Sequence, residues 1–164
     1  KHMKKKKKCR EENAKDVLVL FSGIVSEVKL MFYMLSELKS NCHFIFRMHP
    51  LNVFDVMDYY NGNSYEIEND EDLDILSGKV SRVISTYSAA AVEMALTGIY
   101  IGLVYDQKAL LMNPFDDISV ENYSLLSCPK ELDKFLEEEL PVVGVDQIFN
   151  IENLYMERLL NAVQ

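Results

Sequence analysis

The chain has 164 residues, 49% of them hydrophobic, enough for one domain with a sizeable core. Residues 1–10 hold seven of the 17 basic residues and none of the 26 acidic ones, so the body of the chain is strongly acidic, which argues against nucleic acid as its partner. No apolar run approaches the ~20 residues of a membrane-spanning helix, and three scattered cysteines without a CxxC pair argue against a disulfide frame or a zinc site.

Lys1-His2-Met3 has the look of a tag remnant, and Lys4 to Lys8 is an unbroken lysine run that cannot pack. Residues 1–14 are therefore expected to be a disordered lead, with a single domain over 15–164. Asp16 to Ser22 is a near-continuous apolar run ending at Gly23, the pattern of a strand buried on both faces in a parallel sheet. From Ile24 the period changes: Ile24, Val28, Met31, Leu35 and Leu38 mark one face of a helix. A second strand covers His43 to Met48 and must stop at His49-Pro50, because proline cannot continue a central ladder.

Val53 to Tyr60 is expected to form a short helix with Val53, Val56 and Met57 inward, followed by a weak strand over Ser64 to Ile67 and an acidic helix over Asp70 to Leu76. Arg82 to Ser85 reads as a strand feeding an alanine-rich helix from Ser88 to Leu96, closed by Gly98. Tyr100 to Tyr105 is a further strand, and the stretch through Leu110-Leu111-Met112 to Asp117 is an irregular connection. Leu125-Leu126 suggests a brief edge strand, Pro129 suits the first turn of a helix carrying Leu132, Phe135 and Leu136, and a last helix spans roughly Ile151 to Ala162. This alternation predicts an α/β fold: a Rossmann-like open parallel sheet of five to six strands with helices on both faces.

In such a sheet ligands bind at the carboxyl ends of the strands, near the point where strand order reverses. Those ends would gather Ser22-Gly23, then Arg47, His49 and Pro50, then Ser85, Thr86, Tyr87 and Ser88, then Tyr105-Asp106. The set suits an anion, since a helix N-terminus flanked by hydroxyls is a natural phosphate seat. Each member also has an ordinary use: Ser and Thr cap helices, Arg47 can pair with a nearby carboxylate, and Glu93 can be a polar-face residue. The chain has no GxGxxG or GxxxxGK[ST] fingerprint, no GxSxG elbow and no metal-ligand spacing.

His49-Pro50 after one strand and Ser85-Thr86 (or Thr86 with Ser88) after a later one, with Glu93 further along the helix, resemble the motifs of GT-B glycosyltransferases of bacterial capsule and lipopolysaccharide assembly. The likeness is to their C-terminal, nucleotide-binding half, as in sialyl-, Kdo and glycerophosphate-polymerising transferases. The alanine-rich helix ending Ala95-Leu96-Thr97-Gly98, followed by a strand, also looks like that group's E-A-x-x-x-G-x-P passage, although Tyr100 stands where proline is usual. The resemblance covers roughly residues 15–140.

It implies a nucleotide-sugar donor, CMP- or UDP-linked, bound without metal or other cofactor. His49 would stabilise the departing nucleotide's phosphate, Ser85, Thr86 and Ser88 would hold it, Glu93 would hold the ribose, Arg47 would assist, and Pro50 and Gly23 would shape the corners. The acceptor base and half of the fold would belong to an N-terminal domain outside this sequence. The full-length protein would be cytoplasmic, with peripheral contact at the inner face of the membrane. Two alternatives have the same outline: half of a nucleotide-sugar epimerase, or a flavodoxin- or receiver-like signalling module.

Overall fold

The computed structural model describes residues 16–62, 64–108, 113–116 and 120–139. The expected lysine-rich lead, the Leu110–Met112 segment and the last helix lie outside these. Six strands form one all-parallel sheet: β1 (Asp16–Leu20), β2 (Phe44–Arg47), β3 (Tyr65–Ile67), β4 (Val80–Ser85), β5 (Tyr100–Val104) and β6 (Tyr123–Leu126), in the order β3-β2-β1-β4-β5-β6. Among the described residues four α-helices accompany it: α1 (Val25–Ser36), α2 (Leu73–Ser77), α3 (Ala89–Leu96) and α4 (Pro129–Glu137). This is the Rossmann-type order, reversing between β1 and β4, and it departs from the 2-1-3-4-5 order of flavodoxin- and receiver-like modules.

The two faces of the sheet bury separate cores. Val17, Val19, Phe44, Phe46 and Ile84 pack with α1 and α4 through Val28, Met31, Phe32, Leu35, Leu132 and Phe135. Leu18, Leu20, Ile45, Val83, Ile101 and Leu103 pack with α2 and α3 through Leu76, Ala91, Met94 and Ala95. Because both faces are covered, the central strands have no polar side and appear in the sequence as unbroken apolar runs.

One expected helix is absent. Val53 to Tyr60 contains only a single 3-10 turn, Val56–Asp58, and of the three residues expected to point inward only Val56 is buried; Val53 is 75% and Met57 65% exposed. The segment is held by its rings instead. Phe54 sits edge-on to Phe21 and Phe32, Tyr59 stacks on Phe32, and Tyr60 meets Phe46. The acidic helix is shorter than expected and displaced, starting at Leu73, and the edge strand is longer, starting at Tyr123. Among the described residues no helix is long and apolar enough to cross a membrane.

Polar side chains close the ends of the layers. Arg82, buried and lying over the Phe135 ring, donates to the backbone carbonyls of Leu136 and Glu138, which fastens the end of α4 to β4. Asp133 accepts from the N–H groups of Lys39 and Ser40 and from the Ser40 hydroxyl, joining α4 to the segment after α1. Burial would raise the Asp133 pKa, but these hydrogen bonds outweigh it and hold the carboxyl below its ordinary value. Glu131 is lowered by bonds from Ser127, and Glu68 by the N–H groups of Asp70 and Glu71.

Each of these carboxyls binds its proton less readily in the folded chain than in the unfolded one. The stability they add is therefore present above the unfolded pKa and is lost as the pH falls through the folded one. Urea midpoints should fall progressively below about pH 4.5, the ordinary value for a glutamate. Asp133→Asn should lower stability at pH 7 and flatten that acid slope.

Candidate functional site

The register aligns Arg47, Leu20, Ser85 and Leu103 in one row across the sheet, so the segments that follow them share one rim. The reversal point lies between β1 and β4. Two corners meet the crevice there: Ser22-Gly23 after β1, and Thr86-Tyr87-Ser88 after β4.

The β1 corner is folded by Ser22, whose hydroxyl accepts from the Ile24 N–H at 3.2 Å at the entry to α1. His49 packs against the next residue. A Cβ on Gly23 would lie 3.2 Å from His49 Nδ1 and 3.4 Å from Cε1, so the glycine leaves room for the ring. His49 itself sits in a turn closed by the Asn52 N–H donating to the His49 carbonyl at 2.9 Å. Pro50 occupies the second position of that turn, where its fixed φ is favourable. The Leu51 N–H donates to His49 Nδ1 at 3.2 Å. Nδ1 is thus an acceptor, and the neutral ring carries its hydrogen on Nε2 as a donor.

The hydroxyls of the β4 corner divide the work. Ser85 is fully buried, and its Oγ donates to the Leu20 carbonyl at 3.4 Å, pinning β4 to β1. Thr86 is 3% exposed and its Oγ1 has no hydrogen-bond partner. Ser88 is the N-cap of α3 in extended conformation, with no side-chain bond to the helix, while the Ala91 N–H reaches the Ser88 carbonyl at 3.2 Å. The first N–H groups of α3 have no acceptor within the helix, which is the usual condition of a helix start and the positive end of its dipole. Glu93 is on the exposed face of α3, one turn beyond Ala89 and Ala90.

Arg47 is committed elsewhere: its Nη1 donates to the Glu71 backbone carbonyl, between β3 and α2, in place of the carboxylate pairing open to it from sequence. At the far side of the rim Asp106 accepts from the Lys108 N–H at 2.9 Å, a local turn contact. The structure therefore brings His49 onto Gly23, and Ser85 onto the end of β1.

Two polar residues that no motif singles out hold unpartnered atoms in the segments that follow β1 and β2. Glu27 in the first turn of α1 has a buried Oε2, and Asn52 in the His49 turn has a buried Nδ2, each without a partner. In sequence Glu27 is one polar residue on a helix and Asn52 one residue of a turn, so only the absence of a hydrogen bond distinguishes them. A buried polar atom without a partner is uncommon in a folded protein and calls for an explanation.

The architecture is that of a Rossmann-like domain whose strand order reverses between β1 and β4. The wall teichoic acid polymerase TagF superposes with a TM-score of 0.54 at 18% identity, over 90% of this chain and 38% of TagF. The glycosyltransferase SnogD from Streptomyces nogalater aligns with a TM-score of 0.42 at 12% identity, over 63% of this chain and 29% of SnogD. The chain thus spans well under half of either protein, and the likeness to TagF is one of fold. No protein-family model and no curated protein sequence matches the chain.

Proposed function

We propose that residues 15–164 form the donor-binding domain of a glycosyltransferase that uses a CMP- or UDP-linked sugar in bacterial surface-polysaccharide assembly. The reading is supported by the residues that follow the two central strands and the strand beside them. His49, seated on Gly23 with Nδ1 taken by the Leu51 N–H, follows β2, and Thr86, whose buried hydroxyl has no partner, follows β4, on the two strands that flank β1.

A leaving nucleotide develops negative charge on its phosphate as the glycosidic bond breaks. Donors already fixed in place stabilise that charge without reorganising. In this reading His49 donates from Nε2, Thr86, Ser88 and the N–H groups of α3 hold the phosphate, and Glu93 accepts from the ribose. Ser85 acts indirectly, by fixing the corner to Leu20, and Arg47 by fastening the neighbouring α2 segment. The base that activates the acceptor lies on a second domain.

Calorimetric titration with CMP, UDP, GDP and ADP tests the proposal. Pyrimidine nucleotides should bind best, and His49→Ala should weaken them at least about tenfold, or roughly 1.4 kcal/mol. Equal and negligible heats for all four nucleotides would overturn it.

A further inference from the structure

Four large aliphatic side chains stand exposed around the contact of His49 with Gly23. Leu51 is 88% exposed, and Val53, Ile24 and Val25 are each more than half exposed. They belong to two segments that touch twice: the His49 ring lies against Gly23, and the Phe54 ring meets Phe21 edge-on at 5.3 Å. Leu51 is held beside the first contact by its N–H, which donates to His49 Nδ1 at 3.2 Å. The rings do the packing here, and the aliphatic side chains are left out of it. Single exposed aliphatics are ordinary on a folded surface, but a group of them on touching segments marks an interaction face.

The border of this patch is acidic on the β2 side. From Met48 to Gly78 the sequence holds eight carboxylates and not one Lys or Arg. Asp55 and Asp58 are exposed in the same connection as Leu51 and Val53. The Met48 N–H donates to Asn69 Oδ1 at 2.9 Å, which ties in the next connection at the residue between Glu68 and Asp70. On the α1 side the charges are mixed, with Glu27 and the exposed Lys29.

Charge decides among the occupants of such a face. A second copy of this chain would set one acidic border against another. A bilayer surface containing anionic lipid repels the same carboxylates. A protein segment whose apolar side chains are flanked by Lys or Arg satisfies both the patch and its border. We infer that the aliphatic patch of Ile24, Val25, Leu51 and Val53 is a docking surface for a cationic amphipathic segment of a partner protein. The inference stands apart from the donor-domain reading, because no nucleotide enters it.

The probes are three synthetic peptides on one helical template: Leu on one face with Lys on the other, Leu with Glu, and Ser in place of every Leu with Lys. Vesicles of phosphatidylcholine, with and without phosphatidylglycerol, are the fourth. Calorimetry measures peptide binding to the purified chain, co-sedimentation measures vesicle binding, and sedimentation velocity measures self-association. The Leu/Lys peptide should bind at least about tenfold tighter than either other peptide, and added salt should weaken it. Leu51→Ser combined with Val53→Ser should weaken it at least about fivefold, with the melting temperature unchanged because both side chains lie outside the core. Ile75→Ser, at an exposed aliphatic on α2 across the sheet from α1, should leave binding within about twofold.

The inference is overturned if no peptide binds, if the Leu/Glu or Ser/Lys peptide binds as well as Leu/Lys, or if the double variant binds unchanged. Vesicle binding that the double variant loses would give the face to a membrane. Self-association that the double variant loses would give it to a second copy. Either result equally overturns the inference.

Discussion

Replacing Asn122 by leucine should cost about 2–4 kcal/mol of folding stability, the scale for losing two hydrogen bonds in a buried place. Asn122 is 7% exposed and stands just before β6. Its Nδ2 donates to the Ala95 carbonyl at 2.8 Å and to the Ile99 carbonyl at 2.6 Å, and its own carbonyl receives the Ile101 N–H at 2.9 Å. One side chain thus ties the end of α3 and the entry to β5 to the edge of the sheet. Leucine keeps the volume and loses both bonds, so the loss comes from hydrogen bonding and not from a cavity.

The end of α3 is otherwise built for a sharp exit. Gly98 adopts φ 86°, and the bonds Gly98 N–H to Ala95 and Ile99 N–H to Met94 form a Schellman closure. Asn122 braces this closure from outside. Urea unfolding measures the loss; a change below about 0.5 kcal/mol would mean that α3 does not depend on the brace.

Gly102→Val should cost about 2 kcal/mol by overpacking. Gly102 lies in β5, and a Cβ there would sit 2.6 Å from Leu126 Cδ1 and 3.0 Å from Phe135 Cε1. Neither side chain has space to retreat, since Leu126 and Phe135 are both buried and Phe135 is stacked on Tyr100. Arg82 reaches over the same ring, so a displaced Phe135 also loosens the bonds that fasten α4. Valine's preference for strands offsets part of the cost. A double substitution with Leu126→Ala should recover some of the loss by making room, which distinguishes crowding from a backbone effect.

The parts of the fold legible in the sequence are those whose burial leaves a pattern. Val17 to Leu20 and Ile101 to Val104 are covered on both faces and therefore read as apolar runs, and the change of period after Gly23 marks α1. The Val53–Tyr60 segment misleads for a definite reason. Its apolar spacing matches a helix, but the rings of Phe54, Tyr59 and Tyr60 do the packing, onto Phe21, Phe32 and Phe46. Strand order cannot be read from alternation alone, because it depends on which strands pair, and the pairing of β1 with β4 creates the crevice.

The candidate site divides in the same way. Sequence locates its hydroxyls and its His-Pro turn but does not say which hydroxyl turns inward. Ser85 is drawn to Leu20 by the register, whereas Thr86, the next residue, is left without a partner. Arg47 is recognisable as a charge at a strand end, but its bond to the Glu71 carbonyl depends on the fold of a connection 24 residues away. Glu27 and Asn52 carry no sequence signal at all.

Thr86→Val gives the most direct measurement of whether this rim is a ligand site. A buried hydroxyl without a partner destabilises the free protein, so removing it at nearly constant shape should hold or raise the melting temperature. If the hydroxyl is kept for a phosphate, the same substitution should weaken the preferred pyrimidine nucleotide by about tenfold. Higher stability together with lost binding is the result this account predicts. A variant that melts lower than the wild type and binds the nucleotide equally well would contradict it.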